Sequence, residues 1–219
     1  MKRSMVVLTS AVLSVALAGP AVAHEAGQWV LRAGVGTVMP KDDNLGLPDL
    51  GATVQVDDGT SLTLTGTYMF TENWAFDILA AWPFKHDIDL ALDGGDSLPF
   101  GEVEHLPPTF SVQYHFLPDA TFQPFVGLGL NYTTFLTEDL DAGIPDALGV
   151  TDFSLDDSFG VAVQVGADWM LNENWLINAD LRWINIESDL DVTIGGETVG
   201  LGTVKIDPWV FAINVGYRF

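Results

Sequence analysis

The chain has 219 residues, with 30 acidic side chains against 8 basic ones, four histidines and no cysteine, for a formal net charge of −22. So acidic a chain excludes nucleic acid as a partner, and with no cysteine the fold must be held by burial or by a membrane rather than by covalent staples. After residue 23 no apolar run reaches the roughly 18 residues of a membrane-spanning helix, so any membrane span there must be made of strands.

Taken in chain order, Lys2-Arg3 precedes an apolar run from Met5 to Ala18, followed by Gly19-Pro20 and Ala21-Val22-Ala23. A positive start, a run of about 14 apolar residues and an A-x-A ending predict a signal peptide, residues 1–23, cleaved after Ala23. The rest, 24–219, then forms a single domain. It shows no sustained helical period; instead, apolar residues alternate with polar ones over about 28–39, 60–70, 74–91, 105–116, 122–136, 158–171, 175–190 and 203–219. The connections at 71–73, 117–121 and 172–174 are short. Those at 40–59, 92–104 and 137–157 are long, and Gly195-Gly196 centres a medium one. Short turns on one side and long loops on the other predict an all-β fold, an eight-stranded antiparallel transmembrane β-barrel of the bacterial outer membrane.

The loop-side regions 40–59, 85–105, 137–157 and 187–205 hold 22 of the 30 acidic residues, and the strands hold few charges. Acidic loops of this kind are solvated, and they can also recruit divalent cations that bridge to lipopolysaccharide. No Asp-x-Asp-x-Asp-Gly calcium loop is present.

Which face points inward follows from the side chains at mid-strand. With each register taken from its strongest alternation, all seven tryptophans fall on the bulky apolar face. Trp29, Trp74, Trp169 and Trp175 gather near the short turns, and Trp82, Trp183 and Trp209 toward the long loops. Two belts of amphipathic rings flanking an aliphatic band suit the two lipid–water interfaces. The other face carries Arg32, Asp77, Asp168, Asp180, Arg182, Asn214 and Arg218. An arginine near the midplane costs roughly 2–4 kcal/mol against lipid, so this face must look inward. A soluble lipocalin-like barrel would bury the apolar face instead.

Sorted by height, the inward residues divide into two zones. Arg32, Asp77, Asp168, Asp180, Arg182 and Arg218 form a lumen floor that should pair and close so narrow a barrel. Above them Val38, Leu79, Ala81, Phe135, Ile184, Ile186 and Val210 form an apolar upper channel. Pro83 on the third strand and Pro107-Pro108 on the fourth cannot donate ladder hydrogen bonds, which marks a candidate lateral seam; Pro40 and Pro208 flank a second weak point.

The segments LAAWPFKHDI (79–88), HLPPTFSVQYHF (105–116), FQPFVGLGLNYTTF (122–135), SLDDSFGVAVQVGADW (154–169), NWLIN (174–178) and DPWVFAINVGYRF (207–219) together resemble the outer membrane protein W (OmpW/AlkL) family. The resemblance begins at His24-Glu25-Ala26-Gly27 and runs to the end of the chain. It implies a hydrophobic channel open to the outside and passage of small apolar molecules sideways into the membrane. On it, Leu79 matches a lumenal leucine near the narrow point, whereas Arg182 stands where some relatives carry an aromatic residue. It also implies that Tyr217 and the terminal Phe219 are an assembly signal read by the barrel-assembly machinery.

Two further functions compete with uptake of small hydrophobic substrates. A structural or receptor barrel would use its acidic extracellular loops to bind phage, host or lipopolysaccharide. A barrel enzyme would need a nucleophile; His86 and His105 lie near Asp87, Asp89 and Ser97, but no nucleophile elbow accompanies them, so no catalytic residues are assigned and no enzyme is expected. His24, His86, His105 and His115 show no paired metal spacing, so neither a metal site nor a cofactor is expected. The expected partners are outer-membrane lipids and lipopolysaccharide, small hydrophobic substrates and the assembly machinery.

Overall fold

A computed structural model describes residues 24–42, 44–144 and 148–219; the expected signal peptide, residues 1–23, lies outside the described residues. Eight antiparallel strands close into a barrel. In spatial order they are β11 (Ser158–Met170), β12 (Trp175–Ile184), β15 (Trp209–Arg218), β1 (Trp29–Met39), β4 (Gly59–Met69), β5 (Trp74–Ala81), β8 (Thr109–His115) and β9 (Phe122–Leu140). Closure comes from β9 pairing with β11, from Trp169 opposite Phe122 up to Ser158 opposite Thr133.

The alternation has the direction expected from the sequence. Leu31, Val35, Leu64, Val112, Leu128, Val163, Ile213 and Val215 are exposed on the outside, while Arg32, Asp77, Gln113, Asp168, Asn178, Arg182 and Arg218 are buried inside. So continuous an apolar exterior requires an apolar solvent. At the short-turn end the outward rings pair across strands: Trp29 with Tyr68, Trp74 with Tyr114, and Trp175 with Tyr217, at centroid distances of 5.0, 4.9 and 5.0 Å. At the other end Trp209 faces Trp183 across the β12–β15 ladder, and Phe159 faces Tyr132 across β9–β11. From Trp209 to Tyr217 a tilted strand climbs roughly 20 Å, which fits the apolar band of an outer-membrane barrel.

The long loops are not loops. Above the barrel the chain builds a cap of two small sheets. One continues the upper part of β9 through β7 (Ser97–Leu106), β6 (Phe84–Leu92), β3 (Ala52–Val56) and β2 (Leu45–Leu47); the other is β10 (Val150–Leu155), β13 (Glu187–Ile194) and β14 (Glu197–Lys205). Their acidic residues occupy the outward positions of amphipathic strands. In β6, Phe84, His86, Ile88 and Leu90 point inward and Lys85, Asp87 and Asp89 outward; in β13, Ser188, Leu190 and Val192 point inward and Glu187, Asp189 and Asp191 outward. Gly195 and Gly196 make the β13–β14 turn at φ +61° and +88°, the positive-φ geometry that tight hairpins need.

Several expected strands are therefore two strands each. The segment 74–91 breaks at Trp82-Pro83 into β5 and β6, and 105–116 breaks at Pro107-Pro108 into β7 and β8. Likewise 175–190 breaks after Ile184. The last segment breaks at 206–208, where Asp207 takes φ +36°. That conformation, rare for a side chain with a Cβ, is held by three partners: Lys41 Nζ at 2.9 Å, and Asn185 Nδ2 and the Ile186 N–H, which donate to its carboxylate.

Candidate functional site

The floor of the barrel is a buried ionic network. Arg32 on β1 reaches across the lumen to Asp168 on β11 with two hydrogen bonds, Nε to Oδ1 at 3.0 Å and Nη2 to Oδ2 at 2.5 Å. Its Nη1 donates to Thr67, whose hydroxyl meets Asp77. Arg182 on β12 lies 3.4 Å from Asp77 and 3.7 Å from Asp180, which also accepts from Gln164. Asn178 donates to Asp168 and accepts from Asn214. The space left among these groups is a cavity of about 20 Å³, so the lumen is plugged at this height.

Arg218 sits at the short-turn edge of the floor. It lies below the network, where its Nε and Nη2 donate to the carbonyl of Glu173 in the β11–β12 turn. Since Arg218 is the last residue of β15, its side chain reaches the neighbouring turn more easily than the acids at mid-barrel. At the same end Tyr217 packs against Trp175 and, at 4.8 Å, against the exposed ring of Phe219.

Above the floor the interior turns apolar. Val38, Ile184, Ile186 and Val210 are buried in one cluster, with Ala81 and Phe135 packed against it. Leu79 is buried at the boundary and lines the small polar cavity below. The cluster does not end at the rim. It runs on into the cap through Leu47, Val54, Ile88, Leu90, Phe100 and Val103 on one sheet and Val150, Phe153, Leu190, Val192 and Val204 on the other. Sequence reasoning missed Leu47, Val54, Phe100, Val103, Val150 and Phe153 because their strands were taken for long loops, and it read Ile88, Leu90, Leu190 and Val204 as parts of the barrel strands. Two small apolar cavities lie within this core. One of about 110 Å³ lies between the cap sheets beside Leu47, Phe100, Leu148 and Val192; one of about 20 Å³ lies lower, beside His86, His105, Phe135 and Leu155.

His86 and His105 do come together, 2.9 Å apart through their Nε2 atoms, and His86 Nδ1 lies 2.6 Å from the carbonyl oxygen of Asp57. With Nδ1 donating to that carbonyl, the neutral His86 ring accepts at Nε2 from the Nε2–H of His105. Burial pushes His86 below the usual histidine value, and burial together with His86 takes His105 down to about 3. Gly59 makes room for this pair, since a Cβ there would stand 2.6 Å from the His86 ring. Ser97 pairs with Asp89 instead. It faces Ala91 on the β6–β7 ladder, five positions beyond His86, and so stands away from the imidazoles.

Where Pro83, Pro107 and Pro108 interrupt the strands, so is the ladder. The β5–β8 pairing ends at Leu79 opposite Thr109, and β6–β7 pairing begins only at Phe84 opposite His105. Trp82 still donates to Leu62 O, and Pro108 O still accepts from Tyr132, so each edge is held to its outer neighbour while the two edges lack registered pairing with each other. The second weak point is closed: Ile184 N–H donates to Pro208 O, and Lys41 N–H to Ile206 O.

Residues 25–219 match the OmpW family. Outer membrane protein W of Vibrio cholerae serotype O1 is 43% identical over 213 residues, covering 95% of this chain and 96% of that protein. The crystal structure of the outer membrane protein OprG from Pseudomonas aeruginosa superposes with a TM-score of 0.77 at 36% identity, covering 90% of this chain and 98% of that one. Outer membrane protein AlkL of Ectopseudomonas oleovorans is 25% identical over 203 residues, covering 90% of this chain and 84% of that protein. The match along nearly the whole described chain, the closed eight-stranded wall and its lipid-suited exterior lead to one assignment: the chain belongs to the OmpW family and is a barrel of the bacterial outer membrane.

Proposed function

We propose that the protein is a conduit for passive uptake of small hydrophobic molecules, entering through the cap and leaving sideways into the membrane. The observation that carries this reading is the unbroken apolar core that descends from the cap cavity to Val38, Ile184 and Val210 and stops on an ion-paired floor. A molecule following that core cannot continue to the periplasm. At the height where it must stop, the ladder between Leu79–Thr109 and Phe84–His105 is interrupted. Kinship with AlkL, and the apolar cargo that the sequence resemblance implies, support the same route.

Passage requires motion. The larger cavity, about 110 Å³, is smaller than the roughly 150 Å³ that holds a benzene in an apolar protein core. Cargo therefore enters by displacing cap side chains. Removal of the protein from its host should slow entry of a naphthalene-sized compound and leave sugar entry unchanged. The double variant Ala81→Trp with Ile184→Trp should do the same with the barrel intact. Equal naphthalene entry with and without the protein would overturn the proposal.

A second reading is favoured by one surface feature. Asp57, Asp87, Asp89, Glu102, Asp139 and Asp141 line an open groove of about 490 Å³ on the outer face of the cap, suited to cations that bridge to lipopolysaccharide or to a host surface. On that reading, deletion of residues 140–150 abolishes the phenotype and the tryptophan variant leaves it unchanged.

A further inference from the structure

The periplasmic end of the lumen holds a second histidine pair that the uptake route does not use. His24, just ahead of β1, folds back into the barrel mouth and is fully buried, with its backbone N–H donating to Pro118 O at 3.1 Å. Its ring meets that of His115 on β8 edge-to-face at 4.9 Å. Asp168 on β11 completes the group, and one ligand atom from each of the three lies within 4.8 Å of the other two. Both ring nitrogens of His24 and Nδ1 of His115 lack a well-formed hydrogen bond among the described residues, and Gln28 is the side chain near enough to His24 to act on its ring. Bare, buried imidazole nitrogens facing a carboxylate are an unmet demand for something that accepts lone pairs.

The surroundings set these atoms up as ligands. Gln113 Oε1, 3.2 Å from His115 Nε2, accepts the proton there and leaves Nδ1 as the unprotonated atom. Metal-ligating histidines are oriented in this way by the partner of their other nitrogen. On Asp168, Oδ1 takes Arg32 Nε and Asn178 Nδ2, while Oδ2 takes Arg32 Nη2. A carboxylate offers about four lone-pair positions, so Oδ2 retains one.

We propose that His24, His115 and Asp168 form a site for a divalent transition-metal ion of the imidazole-preferring class, Cu²⁺ binding most tightly and Zn²⁺ less so. Asp168 acts electrostatically on His24 in favour of a cation, and Arg218 and Arg32 oppose one. Mg²⁺ and Ca²⁺ need a shell of oxygen ligands, and a single carboxylate beside two imidazoles does not supply it. Ligand bonds of roughly 2.0–2.2 Å need the three atoms to draw closer than they stand. His24, outside the strand ladder, is the residue that can move. Processing after Ala23, as expected from the sequence, would make His24 the first residue of the mature chain. Its α-amine and Nδ1 could then chelate the same ion. The bound ion would tie the start of the chain to β8 and β11 and pin it across the periplasmic mouth.

The test uses mature protein purified from outer membranes in detergent, stripped with a chelator and titrated separately with Cu²⁺, Zn²⁺ and Mg²⁺. Calorimetry should read one Cu²⁺ per chain, weaker Zn²⁺ and no Mg²⁺, and the Cu²⁺ spectrum by electron paramagnetic resonance should carry imidazole nitrogen couplings. His115→Gln should weaken Cu²⁺ binding at least 100-fold, and His24→Gln, which alters no ladder strand, should do the same with the barrel folded. The double variant His86→Gln with His105→Gln should bind as the unaltered protein does. Cu²⁺ affinity unchanged in His24→Gln, or no stoichiometric Cu²⁺ binding to the unaltered protein, would overturn the proposal.

Discussion

The barrel wall and the cap above it are made of the same alternation turned inside out. In β15 the outward set is Trp209, Phe211, Ile213 and Val215, while Asn214 and Arg218 are buried. In β13 the outward set is Glu187, Asp189 and Asp191, and Leu190 and Val192 are buried. What changes between them is the outer solvent, from acyl chains to water, and with it the side-chain class each face can carry. The interior responds in kind. Where the outside is apolar, the inside can be an ionic network, because lipid supplies the apolar solvent. Where the outside is wet, the inside must be an apolar core, because burial alone holds the two sheets together. The breaks at Trp82-Pro83, Pro107-Pro108 and 206–208 lie at this change of solvent.

The sharpest way to break this contrast is to remove one member of the ionic interior. Arg32→Met leaves Asp168 without its guanidinium partner in a site with no water-exposed face, a loss of about 3–5 kcal/mol. Denaturant titration of the refolded barrel in detergent measures it, and an unchanged midpoint would mean the floor is not load-sharing. A smaller effect separates the two exteriors directly. Ile213→Arg places a charge on the lipid face near mid-strand and should cost roughly 2–4 kcal/mol of barrel stability in bilayers. Asp189→Arg, on the outward face of the cap, should change stability by no more than about 0.5 kcal/mol. Equal costs at the two positions would refute the assignment of their solvents.

The wall was legible because its signals reinforce one another. Alternation, mid-strand charges and ring positions all fix one register, and Arg32, Asp77, Asp168 and Arg182 are buried in the lumen as that register requires. The cap was not legible, because the alternation of Asp87 and Asp89 with Ile88 and Leu90 reads as the continuation of a barrel strand unless the apolar pair is known to meet a second sheet. That second sheet comes from residues 150–155 and 187–205, distant in sequence, and local pattern carries no trace of the contact. The prolines were visible as interruptions, but which edges they leave unpaired depends on the neighbours. Backbone hydrogen bonds flank Pro208, whereas Pro83 lies between the end of the β5–β8 pairing and the start of the β6–β7 pairing. His24 and His115 meet only through barrel closure, so no spacing rule could join them.

The smallest effect tests the joint between the two regions, where His86 and His105 are the polar groups buried in the lower apolar cavity. Only one proton fits between their Nε2 atoms, so protonation of His86 sets two donors against each other, and a proton added to His105 goes to its Nδ1, which has no acceptor in this apolar site. His105 is held down to about 3 in the folded protein by burial and by His86, against a free value of 6.5. The carboxylates of Asp57, Asp58 and Asp87 pull His86 the other way without overcoming its burial. The unfolded cap therefore binds protons below pH 6.5 that the folded cap does not. Its stability is fully present above that value and falls as the pH drops toward 3. Between pH 7.5 and 5.5 the loss through His105 alone is about 1.4 kcal/mol, a tenfold drop in hydrogen-exchange protection of the β6 and β7 amides after correction for intrinsic rates. His105→Phe should flatten that slope while the wall amides of β1 and β15 keep theirs. Protection in β6 and β7 that ignores pH in the unaltered protein would show that the two rings carry no titratable share of the cap's stability.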